Sequence, residues 1–166
     1  MALKEKIQED FKKALKEKKE IKLSTLRMLS AAIFNKEKEK RYNLSQERPE
    51  LSAQDLEKES WLMDEEIIEV VSSEIKKRKE SISEFQKGQR EDLAEKEKKE
   101  LEILKQYLPE QLSKEEIEKL AREVIEKVQA KDLKDMGKVM AQLMPKIKGR
   151  AAGNEVSDVV KELLKA

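Results

Sequence analysis

DEEIIEVVSSEIKKRKESISEFQKG, residues 64–88, places Ile67, Ile68, Val71, Ile75, Ile82 and Phe85 at steps that alternate between three and four. That is the period at which side chains return to one face of an α-helix. Arg78 falls on the same stripe, and the positions between are nearly all charged or hydroxylated. The pattern predicts a helix with one apolar side, beginning near Trp61 or Asp64 and ending at Lys87. Gly88 follows at once, and glycine is the residue best suited to the position just past a helix end.

The same period extends in both directions. Toward the N-terminus, Leu3, Ile7, Phe11, Ala14 and Leu15 predict a helix over 2–18, and Leu23, Leu26, Leu29, Ile33 and Phe34 a second over 21–40. The break between them is short, so the two should pack antiparallel. Residues 42–58 contain Pro49 and several turn-forming residues without sustained periodicity, and read as an insertion forming a long loop or a short extra helix. Toward the C-terminus, Leu93, Leu101, Leu104 and Leu108 predict a helix over 91–107, closed by Pro109, which pushes the preceding residue out of the α region. Ser113 followed by Glu116 forms a capping box, opening a helix with Ile117, Leu120, Val124, Ile125 and Val128 inward. Met136, Val139, Met140 and Leu143 predict the next helix, ending before Pro145, and Val156, Val159, Val160, Leu163 and Leu164 the last, starting at Asn154. The expected fold is all-α: an N-terminal four-helix bundle or hairpin subdomain over 1–108, then a C-terminal three-helix bundle over 109–166.

Composition agrees and narrows the chemistry. Of 166 residues, 44% are charged and 37% hydrophobic, with four glycines and three prolines, too few for the tight turns of an all-β fold. The chain contains neither cysteine nor histidine. Thiol and Ser-His nucleophiles, disulfides and the commonest zinc ligands are therefore ruled out, and no catalytic residue, metal or cofactor is expected. The N-terminal stretch is charged at nearly every second position, unlike a signal peptide, and no run approaches a membrane span. A cytoplasmic location without membrane association is the expectation.

The net charge of +1 conceals an uneven distribution. Residues 45–75 are strongly acidic. Residues 131–150 carry Lys131, Lys134, Lys138, Lys146, Lys148 and Arg150 against Asp132 and Asp135. In this region glycines stand near cations at two helix boundaries, a combination that suits phosphate binding because free amides and the helix dipole add to the side-chain charge. Spacing alone fits an ordinary basic helix connection even better. Met136, Met140 and Met144, at steps of four, fit core packing better than an adaptable binding face. Arg27, interrupting LSTLRML at 23–29, is expected to pair with a carboxylate near Glu74 or Glu97. The basic run Lys76 to Lys79, continuing to Lys87 and Arg90, reads as a solvated face with local ion pairs.

LSTLRMLSAAIFNKE (23–37), EIKKRKESISEFQKGQREDLAEKEKKELEILKQYLPEQLS (74–113) and DMGKVMAQLMPKIKGRAAGNEVSDVVKELL (135–164) together resemble the GatB/YqeY family, which includes stand-alone proteins and the C-terminal tail of an aminoacyl-tRNA amidotransferase subunit. The resemblance implies a tRNA-binding accessory module, with Lys138, Lys146, Lys148, Gly149 and Arg150 toward tRNA or a structured RNA. The family-level activity, a carbon-nitrogen ligase with glutamine as amide donor, belongs to a full enzyme and is not expected of this polypeptide. The alternative is a protein-interaction module that docks on a synthetase, an amidotransferase or another translation factor through the acidic face at 57–75. Lys148 and Arg150 are both expected to be exposed.

Overall fold

The computed structural model describes residues 2–165, which contain eight α-helices, one short 3-10 turn and no strand. The chain is all-α. It divides into two compact units, one ending at Tyr107 and the other beginning at Leu108.

The first unit comprises α1 (Leu3–Lys16), α2 (Glu20–Glu47), α3 (Ala53–Glu59), α4 (Asp64–Lys87) and α5 (Glu91–Lys105). α4 packs along α5 and α1 along α2, while α2 also meets α4 and α5. The periodic stripes supply the core: Ile7 and Ala14 from α1, Leu26, Leu29 and Ile33 from α2, Ile67 and Val71 from α4, and Ala94, Leu101 and Leu104 from α5 are all buried. Each large aliphatic side chain so buried contributes roughly 1.5–3 kcal/mol. Tyr107 closes the unit, its hydroxyl donating to the Asp10 carboxylate at 2.6 Å. Burial, then that carboxylate, push the Tyr107 phenol far above its usual range.

The stripes were drawn too wide at two places. Leu15 and Phe34, expected inward, are more than half exposed, because their neighbours Ala14 and Ile33 take the buried position and one residue turns the side chain about 100° around the axis. α2 also runs on to Glu47 rather than ending near Lys40. Its extension is anchored where Arg41 Nε donates to Ser60 Oγ at 3.2 Å, and Pro49 stands just past its end. Within the 42–58 insertion, α3 is capped by Ser52, whose hydroxyl accepts the Asp55 amide.

The second unit holds α6 (Lys114–Val128), the 3-10 turn Leu133–Asp135, α7 (Met136–Ile147) and α8 (Gly153–Lys165). The Ser113 capping box forms as expected, with Ser113 Oγ accepting the Glu116 amide and the Glu116 carboxylate accepting the Ser113 amide at 2.8 Å. Ile117, Ala121, Val124, Val139, Leu143, Ile147, Val156 and Val160 form the core, and Met136, Met140 and Met144 pack against it. α7 does not stop before Pro145 but continues to Ile147. The proline sits in the last turn, and the carbonyl it cannot serve belongs to Ala141, on the exposed side of the helix. Ile147 is fully buried, and that burial outweighs the local preference.

Candidate functional site

The basic region of 131–150 is organised by carboxylates at its start and by backbone at its end. Asp132 caps the 3-10 turn by accepting the Lys134 amide at 2.8 Å. Asp135 accepts the Lys131 amide at 3.0 Å and the Lys138 ammonium at 3.1 Å. Those two contacts, the amide first, hold the Asp135 carboxyl below its usual range. Lys138 is thus exposed but already paired. Lys146, in the last turn of α7, is also exposed. The two lysines lie about 12 Å apart along the axis and about 80° apart around it, from the rise and turn of an α-helix.

Past α7 the chain turns through Gly149, whose φ of 74° is a left-handed conformation that favours glycine. The loop is then clamped to the segment preceding α6. The Gly149 carbonyl accepts Gln111 Nε2 at 2.8 Å, the Arg150 carbonyl accepts the Leu112 amide at 2.7 Å, and Arg150 Nε donates to the Glu110 carbonyl at 3.2 Å. Lys148 is exposed as expected, but Arg150 is half-buried, because its side chain folds back on that segment. Glu116 lies near enough to Arg150 to feel its charge. Its carboxyl is held below the usual range mainly by the Ser113 amide, then by the Ser113 hydroxyl. α8 begins with its Val156 amide on the Ala152 carbonyl, so alanine occupies its N-cap and supplies no side-chain acceptor to the first-turn amides. The five residues named from the sequence therefore fall on the two ends of α7 and on the loop after it.

The first unit contains a charged cluster that was only half foreseen. Arg78 is 5% exposed and lies between Glu74, 6% exposed, and Glu100, 4% exposed. Its Nη1 is 2.5 Å from Glu74 and its Nη2 3.3 Å from Glu100, and no partner reaches its Nε. Lys77 reaches Glu74 from outside at 2.7 Å. Arg27, expected to find such a partner, is exposed instead. The signal that could have identified the right arginine was position: Arg78 sits on the apolar stripe of α4, and Arg27 stands one residue beyond the stripe position Leu26. Nearby, burial and then the Glu100 charge push the Glu97 carboxyl up, against the opposing pull of Arg78.

Among the described residues no cluster of carboxylates is arranged to hold a metal ion, and no helix is long and apolar enough to cross a membrane.

Residues 4–164 match the family described as Yqey-like protein. A protein of Pyrenophora tritici-repentis named altered inheritance of mitochondria protein 41, mitochondrial, is 31% identical over 163 residues, covering 96% of this chain and 80% of its own length. Its namesake in Lachancea thermotolerans is 33% identical over 102 residues, 61% of this chain and 46% of that protein. An uncharacterized protein of Schizosaccharomyces pombe is 46% identical over 50 residues, 30% of this chain and 41% of that protein.

Proposed function

The chain belongs to the Yqey-like family, and on that footing we propose that it is an accessory module that binds tRNA or a similarly structured RNA through its C-terminal three-helix unit, without catalysis of its own. The observation that carries the proposal is the pinned loop after α7. Bonds from Gln111 and Leu112 and to Glu110 fix Gly149 and Arg150, in a loop that carries the exposed Lys148 and joins the last turn of α7, with the exposed Lys146, to α8, whose N-cap is alanine. Cations on a rigid frame lose little entropy when they meet phosphates, and free helix-start amides add acceptor-seeking dipoles. Recognition of this kind follows backbone shape rather than base edges.

Lys146 and Lys148 are exposed and can be replaced without opening the core. Lys138 must give up Asp135, and Arg150 must keep its bond to Glu110 while offering its remaining donors. Cytoplasmic action is part of the proposal; two relatives carry names that place them in mitochondria, and cell fractionation against compartment markers decides the point.

The test is tRNA binding across a salt series, with Lys146→Ala/Lys148→Ala beside the unaltered protein. Binding should weaken with salt, and the double variant should flatten the logarithmic salt dependence by about two contacts' worth, near one unit of slope for each. Absence of binding at low salt, or a variant with unchanged slope, would refute the proposal.

A further inference from the structure

From Leu23 to Ser45 the side of α2 turned away from the core carries no carboxylate. At about 100° per residue, Arg27, Ala31, Phe34, Lys38, Arg41 and Tyr42 fall within one arc of about 100°, on the far side of the helix from the buried Leu26, Leu29 and Ile33. The glutamates of α2 stand elsewhere. Glu37 is buried against Lys4 and the Leu62 amide, Glu39 is paired with Lys36 at 2.9 Å, Glu47 closes the helix, and Glu20 lies about 10 Å before Arg27 along the axis. The chain has 36 acidic residues against 37 basic ones, so an exposed face with three cations and no acid departs from the mixing found along most of its length. Among the described residues neither Arg27 nor Lys38 has a carboxylate partner.

Two large rings stand among these cations. Phe34 is 56% exposed and Tyr42 66%, and eight residues put them about 12 Å apart along the axis. Lys38 lies between them, its ammonium 5.6 Å from the centre of the Phe34 ring. Arg41 is half-buried and held by the bond from its Nε to Ser60. Both rings project from one unbroken helix, Glu20–Glu47. An aromatic side chain has only two torsions to fix, so a ring on such a frame gives up little entropy when a flat partner lies on it.

The alternation of cation and ring selects the partner. A second copy of the chain, laid face to face on this one, would set Arg27, Lys38 and Arg41 against their counterparts with no carboxylate of the face to offset them. A lipid surface takes up a continuous apolar side, whereas Lys38 and Arg41 stand between the two rings and the large aliphatic residues of α2 point inward. A single nucleic-acid strand alternates phosphates with bases. Each base has a flat face that can stack on an aromatic ring, and the phosphates follow the cations. We propose that the outer face of α2 binds a single-stranded stretch of RNA, with Phe34 and Tyr42 as stacking platforms for two of its bases and Arg27, Lys38 and Arg41 along its phosphates. That the strand is RNA rests on the reading of the C-terminal unit. The stacking face itself does not, and it differs from the loop after α7 in taking unpaired bases rather than the shape of a folded backbone.

The probe is a labelled single-stranded RNA of mixed sequence and about ten nucleotides, a length within the range that single-strand sites cover. It is titrated against the full chain by anisotropy, beside the same strand annealed to its complement, its deoxy counterpart, and vesicles of phosphatidylglycerol. The single strand should bind about tenfold or more tighter than the duplex, whose bases are already stacked on one another. Phe34→Leu/Tyr42→Leu keeps apolar bulk and removes the rings, and should weaken binding by about tenfold or more. Arg27→Ala/Lys38→Ala should weaken it and flatten its salt dependence. Lys146→Ala/Lys148→Ala should leave it unchanged, which separates this face from the loop after α7. Every position replaced is exposed, and circular dichroism verifies that the variants are folded. Duplex bound as tightly as the single strand, unchanged affinity in the ring variant, or loss of binding in the loop variant would each overturn the proposal. So would a preference for the deoxy strand, tighter binding of the vesicles, or a dimer of the chain that the ring variant dissolves.

Discussion

Replacing Arg78 by methionine keeps the volume and removes the charge between Glu74 and Glu100. All three groups are at least nine-tenths buried. Removing one partner of a buried ion pair typically costs about 3–5 kcal/mol, because the other charge is left unpaired in a poor solvent. The loss should fall unevenly. Glu74 retains Lys77 at 2.7 Å, whereas the one ion pair of Glu100 in this cluster is with Arg78. With a urea dependence of roughly 2 kcal/mol per molar, the midpoint of unfolding should drop by roughly 1.5–2.5 M. Trp61 fluorescence follows this unit selectively, since the second unit has no tryptophan. Removing the orphaned charges as well supplies the sharper check. Adding Glu74→Gln and Glu100→Gln should recover most of the deficit of Arg78→Met. A deficit under about 1 kcal/mol at pH 7, far below the usual cost of an orphaned buried charge, would refute the reasoning, as would a triple variant that recovers none of it.

Four further outcomes are expected. Burial pushes the Glu97 carboxyl up, so its protonated form favours the fold below the unfolded value and that advantage is lost as pH rises. Glu97→Gln should stabilise the first unit at pH 7 and be neutral near pH 4 in thermal melts. Ser113→Ala should cost the second unit about 1 kcal/mol by removing the N-cap. The Glu116 carboxyl is held low chiefly by the Ser113 amide, so its contribution is present above the unfolded value and lost as pH falls through the folded one. The difference between Glu116→Gln and the unaltered chain should accordingly close in acid. Gly149→Ala should cost about 1 kcal/mol, since φ is 74° there, and chemical denaturation of the second unit measures it.

Much of the helical layout was legible because each helix carries its own period and several carry their own punctuation. The Ser113 and Glu116 pair could be placed from chemistry that acts over a few residues; α4 does end before Gly88, but Gly88 has a φ of -80° and the left-handed conformation falls on Gln89. What escaped was decided by distant parts of the chain. α2 passes Lys40 because its extension meets Ser60, and α7 passes Pro145 because Ile147 has a core to enter. Neither Phe34 nor Leu15 announces that a neighbour will take the inward place. At the candidate interface, the cations could be named from the sequence. The tie from Arg150 to Glu110, forty residues away, could not. The buried arginine was visible as an interruption of the α4 stripe, but its second carboxylate, twenty-two residues on, depended on how α4 and α5 pack.

The bond from Tyr107 to Asp10 spans 97 residues and joins the first helix of its unit to the last position of that unit. On a ribosome adding roughly 5–20 residues per second, α1 is made some 5–20 seconds before its phenolic partner emerges. Through that interval the Asp10 carboxylate of α1 is without its phenolic donor. Synthesis speed over residues 91–107 then governs how long nascent chains lack this closing bond. Slowing translation within this stretch should prolong that interval without changing the finished protein.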